Sequence, residues 1–193
     1  MGLATTPPER EAAADPARRD FLKVGAGFTL ALTFATALPG CSGAPKAPAQ
    51  GLAFLQPADV ELFGAIAPVV VLDLTTLDAA ERARRTQMTI GNIDATCAAL
   101  DAHSRGELRK LFDLLAIGPL RYVLTGVGAW KEATPEKLSA FLDRWRSSSL
   151  ATLNSGGNVL VRLVSGSYYV IPETFAAVGY PGPLAAMYQA VNA

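Results

Sequence analysis

Thr134-Pro135-Glu136-Lys137-Leu138-Ser139-Ala140-Phe141-Leu142-Asp143-Arg144-Trp145 reads as an amphipathic helix from one end to the other. Thr134 can cap the first free N–H groups. Pro135 has its φ already set for the first helical position, and Glu136 places a carboxylate against the positive end of the helix dipole. Leu138, Phe141, Leu142 and Trp145 then recur at steps of three and four, which puts them on one side and predicts a buried stripe.

The same period extends outward in both directions. Pro57 suits the first turn of a helix with Asp59 and Glu61 near its start and Leu62, Phe63, Ile66 and Val70 at helical spacing; Pro68 is expected to kink or end it. Ile90, Ile93, Cys97 and Leu100 mark a second helix. Ser104-Arg105-Gly106-Glu107 reads as a capping box ahead of Leu108, Leu111, Phe112 and Leu115, and Gly118-Pro119 as the stop. Asn154 to Asn158 reads as a break, after which Leu160, Leu163, Val164 and Tyr168 define a last long helix that Pro172 ends. Val69 to Leu72 could form a short buried strand, but no neighbouring run offers it a partner. Leu120 to Val127 is apolar and ambiguous. The expectation is an all-α fold, an irregular bundle of about four to five helices behind an N-terminal signal peptide and a flexible tether.

The N-terminal segment is an export address and is set aside from the fold. Arg18-Arg19-Asp20-Phe21-Leu22-Lys23 precedes an uncharged stretch from Val24 to Leu38. Two arginines, one free position and then Phe-Leu-Lys match a twin-arginine signal, so Arg18, Arg19, Phe21, Leu22 and Lys23 form the expected export motif. The apolar stretch is diluted by Gly25, Gly27, Thr29, Thr33 and Thr36. It falls short of the roughly 20 residues of a spanning helix and suits a cleavable signal. Leu38-Pro39-Gly40-Cys41 resembles a lipobox, which would make Cys41 the lipidated first residue of the mature chain. Ala35-Thr36-Ala37 is a competing site for the ordinary peptidase. The Pro/Ala/Gly-rich run after Cys41 reads as a tether between anchor and domain. The expected organisation is a signal at 1–40, a tether at 41–54 and a helical domain at 55–193. The expected location is the periplasm, on a membrane through a lipid anchor.

Composition narrows the function classes. Acidic and basic residues balance across the chain, and no basic stripe interleaved with aromatics appears, which argues against a nucleic-acid partner. His103 is the sole histidine, so a multi-histidine metal site is ruled out; its place beside Ser104 fits a polar residue at a helix end. Cys97 falls on an apolar helical face, where buried thiols are inert. Gly126-Val127-Gly128 lacks the third glycine of a dinucleotide fingerprint. These readings point to a chain without catalytic residues, metal or cofactor of its own.

One familiar pattern lies near the C-terminus. Ser165-Gly166-Ser167-Tyr168-Tyr169, then Pro172-Glu173-Thr174-Phe175-Ala176-Ala177-Val178-Gly179-Tyr180-Pro181-Gly182-Pro183, resembles the tail of small twin-arginine-signal proteins associated with flavin dehydrogenases of the glucose-methanol-choline type. Leu55-Gln56-Pro57-Ala58-Asp59 through Pro68 is similar to the start of the gluconate 2-dehydrogenase small-subunit family. The resemblance implies a non-catalytic accessory subunit that helps fold, export or tether a catalytic subunit carrying FAD, in some relatives alongside a cytochrome subunit. The twin-arginine translocase would be its route out. Independently, Tyr168, Tyr169, Phe175, Tyr180 and Pro181 gather aromatic and stiff residues of the kind found at interface centres, and they form the candidate partner-binding surface. The same residues could instead fold back and seal the bundle. A free-standing periplasmic lipoprotein with a ligand-binding or structural role is the other reading.

Overall fold

Every regular element among the described residues, 47–182 of the computed structural model, is helical. In chain order these are α1 (Pro57–Val70), α2 (Asp73–Thr76), α3 (Ala79–Ala98), α4 (Ala102–Ala116), α5 (Gly118–Thr125), α6 (Pro135–Arg146) and α7 (Ala151–Tyr168). Single 3-10 turns lie at Trp130–Glu132, Pro172–Thr174 and Ala176–Val178. Five of the α-helices have twelve or more residues, in keeping with the expected irregular bundle. The export motif from Arg18 to Lys23 and Cys41 lie outside the described residues, as does Pro183.

α7 packs most extensively against α3 and α6, and α1 touches both of these as well as α4 and α7. The core they enclose is aromatic at two points. Phe63 on α1 meets Phe112 on α4 edge to face, with centroids 5.4 Å apart. Phe141 and Trp145 of α6 meet in the same way at 5.1 Å. Leu138, Phe141, Leu142 and Trp145 are all buried, so the stripe that predicts α6 is the face it uses. The Trp145 indole donates to the Leu124 carbonyl at 3.0 Å and ties the end of α5 to α6.

Two local readings differ from the structure, each for an identifiable reason, and two that the sequence leaves open are decided by it. The N-cap of α4 is Asp101 and not Ser104: the Asp101 carboxylate accepts from the His103 and Ser104 N–H groups at 2.9 and 3.0 Å. Capped there, the helix starts before Ser104. Asn154 to Asn158 is no break, because α7 runs through it. Gly156 and Gly157 lie against Trp145, where an added Cβ would stand 3.0 Å from the indole and 2.9 Å from the Trp145 Cβ respectively. Close helix packing, not helix termination, is what these glycines allow. Pro68 sits inside α1, which ends two residues later, so Val69 and Val70 are helical and no strand forms. The ambiguous run from Leu120 is mostly helix α5, closed by Gly126, whose N–H bonds the Tyr122 carbonyl at 2.8 Å.

The expected tether also meets the bundle before its boundary at Leu55. Ala49 N–H donates to the Leu55 carbonyl at 2.7 Å, closing a compact loop. The N–H groups of Ala53, Phe54 and Leu55 all donate to the Asp94 carboxylate on α3, each at 2.8 Å. Residues 49–55 are therefore a strap held on α3.

Candidate functional site

The expected partner-binding residues begin at the last residue of α7, and the structure divides them. Tyr168 is the last residue of α7 and is wholly buried, its hydroxyl 3.5 Å from an Arg85 guanidinium N–H. It belongs to the core and offers a partner no surface. Tyr169 stands edge-on to it at 5.1 Å and is 39% exposed. Burial raises the Tyr169 hydroxyl above its ordinary pKa, and the Asp73 and Tyr168 charges add to this.

After α7 the chain is pinned and then turned. Ile171 and Thr174 are buried, with the Thr174 hydroxyl donating to the Ile171 carbonyl at 2.8 Å. Glu173 pairs with Arg84 of α3 at 3.1 Å. Phe175 and Tyr180 pack edge to face with centroids 5.0 Å apart, and Tyr180 N–H donates to the Phe175 carbonyl at 2.9 Å. Gly179, at φ 67°, makes the reversal that brings these rings together, a conformation that costs an L side chain energy. Gly182 rests 3.7 Å from the Phe175 ring, measured from the position of an added Cβ. Phe175 is half-buried, while Pro181 is exposed. Val170, Val178 and Tyr180 are each about half exposed or more, so this short, stiff tail carries apolar side chains outward.

The bundle also contains charged residues whose role the sequence does not reveal. Asp59 is 1% exposed, and both its oxygens are held by Arg109 of α4 at 2.7 and 2.9 Å. Gln56 N–H donates to the same carboxylate at 2.7 Å. The Arg109 guanidinium also lies 5.7 Å from the Phe54 ring centroid and 5.5 Å from that of Phe112. Asp59 reads in sequence as a carboxylate near a helix start, which it is; nothing nearby points to Arg109. Asp94 had one legible sign, a carboxylate next to Ile93 in an apolar stripe. Both groups serve the fold by satisfying buried donors.

Cys97 is fully buried, and burial pushes its thiol up to about 12, with the Asp94 and Asp59 charges acting in the same direction. A thiol held this far from ionisation is a poor nucleophile. His103 is exposed in the first turn of α4, near the helix end as expected. Among the described residues no group of three or more His, Cys, Asp and Glu side chains could hold a metal ion, and no helix is long and apolar enough to cross a membrane. No protein-family model, curated protein or solved structure matches this chain.

Proposed function

We propose that this chain is a non-catalytic accessory subunit of an exported FAD-dependent dehydrogenase, and that the outward side of its tail is the docking surface. The observation that carries this reading is the pairing of stiffness with exposed apolar area. Tyr169, Val170, Val178 and Tyr180 stand out from a segment pinned by the buried Ile171 and Thr174 and by Glu173 on Arg84, and folded back on itself by the Phe175–Tyr180 contact. A pre-shaped segment loses little conformational entropy on docking, and exposed tyrosines are common interface anchors. The resemblance of this tail to those of small twin-arginine-signal proteins associated with flavin dehydrogenases supports the same partner. Export through the twin-arginine translocase, with Arg18 and Arg19 as the address, would carry the folded pair outward. Cys41, lipidated, would hold it at the membrane, where a cytochrome subunit could take up the electrons. The FAD and the chemistry belong to the partner.

Co-expression with a flavin dehydrogenase of the glucose-methanol-choline type, sought in the neighbouring reading frame, tests the reading. The two should co-purify with FAD bound, and Tyr180→Ala should weaken the complex roughly thirtyfold, as expected for an anchor of about 2 kcal/mol. Tyr180 packs on Phe175, so the melting temperature of the variant is measured in parallel. Lost stability with unchanged affinity removes the tail as the interface, and a wild-type chain that binds no flavoprotein removes the subunit role. Replacing Arg18 and Arg19 with Lys should leave the precursor in the cytoplasm, and labelled palmitate should disappear with Cys41→Ala.

A further inference from the structure

α5 turns apolar side chains away from the core. Pro119, Tyr122 and Val123 recur at steps of three and four, and all are exposed, Tyr122 by 63% and Val123 by 78%. Ile117, just before the helix, is 43% exposed. The other side of α5 is where it is fastened. Thr125 is buried, and the Leu124 carbonyl accepts from the Trp145 indole and the Arg144 guanidinium, each at 3.0 Å. Single apolar side chains on a surface need no explanation, but a stripe of them on the outward side of a fixed helix marks a contact surface.

Charge is uneven around this stripe. The chain as a whole is neutral, yet the stretches 114–131 and 144–172 together hold five basic residues and no Asp or Glu. α5 lies in the first and the corner between α6 and α7 in the second, and the bonds to Leu124 join them. The Arg144 guanidinium stands 4.0 Å from the position of a Cβ on Gly126, three residues after Val123. Arg121 donates to the Gly128 carbonyl at 2.6 Å, and Arg146 is exposed. None of these three arginines has an ion pair among the described residues. Asp143, the carboxylate before Arg144, turns toward the Ser139 hydroxyl, 3.4 Å away, and borders a hollow beside Pro68 of α1. The arginines near the stripe therefore carry charge that no carboxylate pairs.

We propose that the outward side of α5 seats on an anionic lipid surface, with Tyr122 and Val123 at the headgroup level and Arg121, Arg144 and Arg146 among the phosphates. Tyrosine suits that level, with an apolar ring and a hydroxyl that stays wet. Each arginine close to an anionic surface strengthens binding about fivefold. Such a surface lies within reach in the membrane-tethered arrangement. A lipidated Cys41 is eight residues before Ala49, where the strap begins, and so many residues extend to at most about 29 Å. The proposal rests on the tethering reading for that proximity alone.

The full chain carrying Cys41→Ala, so that no acyl chain contributes, tests the face with an environment-sensitive dye on Val123→Cys; Cys97 is buried and takes no label. A second preparation carries the dye on Gln87→Cys, exposed on α3. With vesicles of phosphatidylcholine containing phosphatidylglycerol, the dye at position 123 should shift to the blue and the dye at 87 should not. Vesicles of phosphatidylcholine alone should bind at least about tenfold more weakly. Arg146→Gln should cost about fivefold in affinity, and Tyr122→Ser should also weaken binding, both with the melting temperature in place. Equal shifts at 123 and 87 would put the binding in the apolar stretch of the signal and overturn the assignment. No shift at 123, indifference to phosphatidylglycerol, or a dye shielded only when the flavin dehydrogenase is added would overturn it too. Palmitate labelling tests the anchor by itself, so the tethering reading and this one fail separately.

Discussion

Arg109 grips both carboxylate oxygens of Asp59 across fifty residues of sequence, at 2.7 and 2.9 Å, joining α4 to the first turn of α1. Asp59 is almost wholly buried, while Arg109 keeps about a fifth of its side chain in solvent. The two sides of the pair are therefore unequal. The carboxylate depends on the guanidinium for its charge balance, whereas the guanidinium can also reach water and Asp113, 2.9 Å away.

Removing the cation should cost more than removing the pair. Arg109→Leu leaves a buried carboxylate without its counter-charge, and a loss of about 3–5 kcal/mol is expected in urea unfolding. The double variant Asp59→Asn, Arg109→Leu should lose less than Arg109→Leu alone. Equal losses would show that the pair is screened by solvent.

The strap should come loose when Asp94 is removed. Three backbone N–H groups share this one carboxylate, and hydrogen bonds to a charged group contribute about 1.5–3 kcal/mol each at most. Asp94→Ala should expose residues 49–55 to proteolysis while helix content stays close to wild type. Asp94→Asn keeps one acceptor oxygen and should fall between. An uncut strap in Asp94→Ala would mean that Leu55 and its apolar contacts hold it unaided.

Two glycine-to-alanine substitutions should have opposite signs. At Gly157 an added Cβ would lie 2.9 Å from the Trp145 Cβ and 3.2 Å from the Arg146 backbone nitrogen, so α6 and α7 must separate. A destabilisation of about 1–3 kcal/mol is expected, in spite of alanine's better helix propensity. At Gly91, inside α3, a Cβ meets nothing within 4 Å, and a gain of about 0.5–1 kcal/mol is expected. Melting temperatures that move the same way for both would contradict the close α6–α7 contact.

Acid should undo the arginine clasp on α3 within a definite window. Glu81 accepts hydrogen bonds from Arg84 and Arg85, which lower its carboxyl from 4.5 to about 2. A folded-state pKa below the unfolded one adds stability in full above about 4.5, and that stability is lost as the pH falls towards about 2. The melting-temperature gap between wild type and Glu81→Gln should therefore close between these limits. A gap unchanged at the acid end would trace the difference to something other than charge.

Some of this was readable from single residues and their immediate neighbours. The stripes of α1, α3, α6 and α7 emerged from apolar spacing, because the turn of a helix repeats within four residues and needs no knowledge of what lies opposite. Thr134 as the cap of α6 and Pro135 in its first turn were legible for the same reason: the Lys137 N–H that Thr134 satisfies is three residues away. Ser104 shows where local reading fails. Asp101 and Ser104 both have cap chemistry, and the stronger acceptor, which comes first in the chain, took the N–H groups.

The helical class of the fold and the buried face of its best-patterned helices were determined by the sequence alone, since both follow from contacts a few residues long. The tertiary structure decided what distance in the chain conceals. Gly156-Gly157 reads as a break until Trp145 is placed against it; Asp59 and Asp94 read as ordinary carboxylates until Arg109 and the strap arrive from 50 and about 40 residues away. Tyr168 and Tyr169 are adjacent and chemically identical, yet one is core and the other reaches solvent. Which of two neighbouring rings is buried depends on where the end of α7 meets α3, and no local spacing encodes that meeting point.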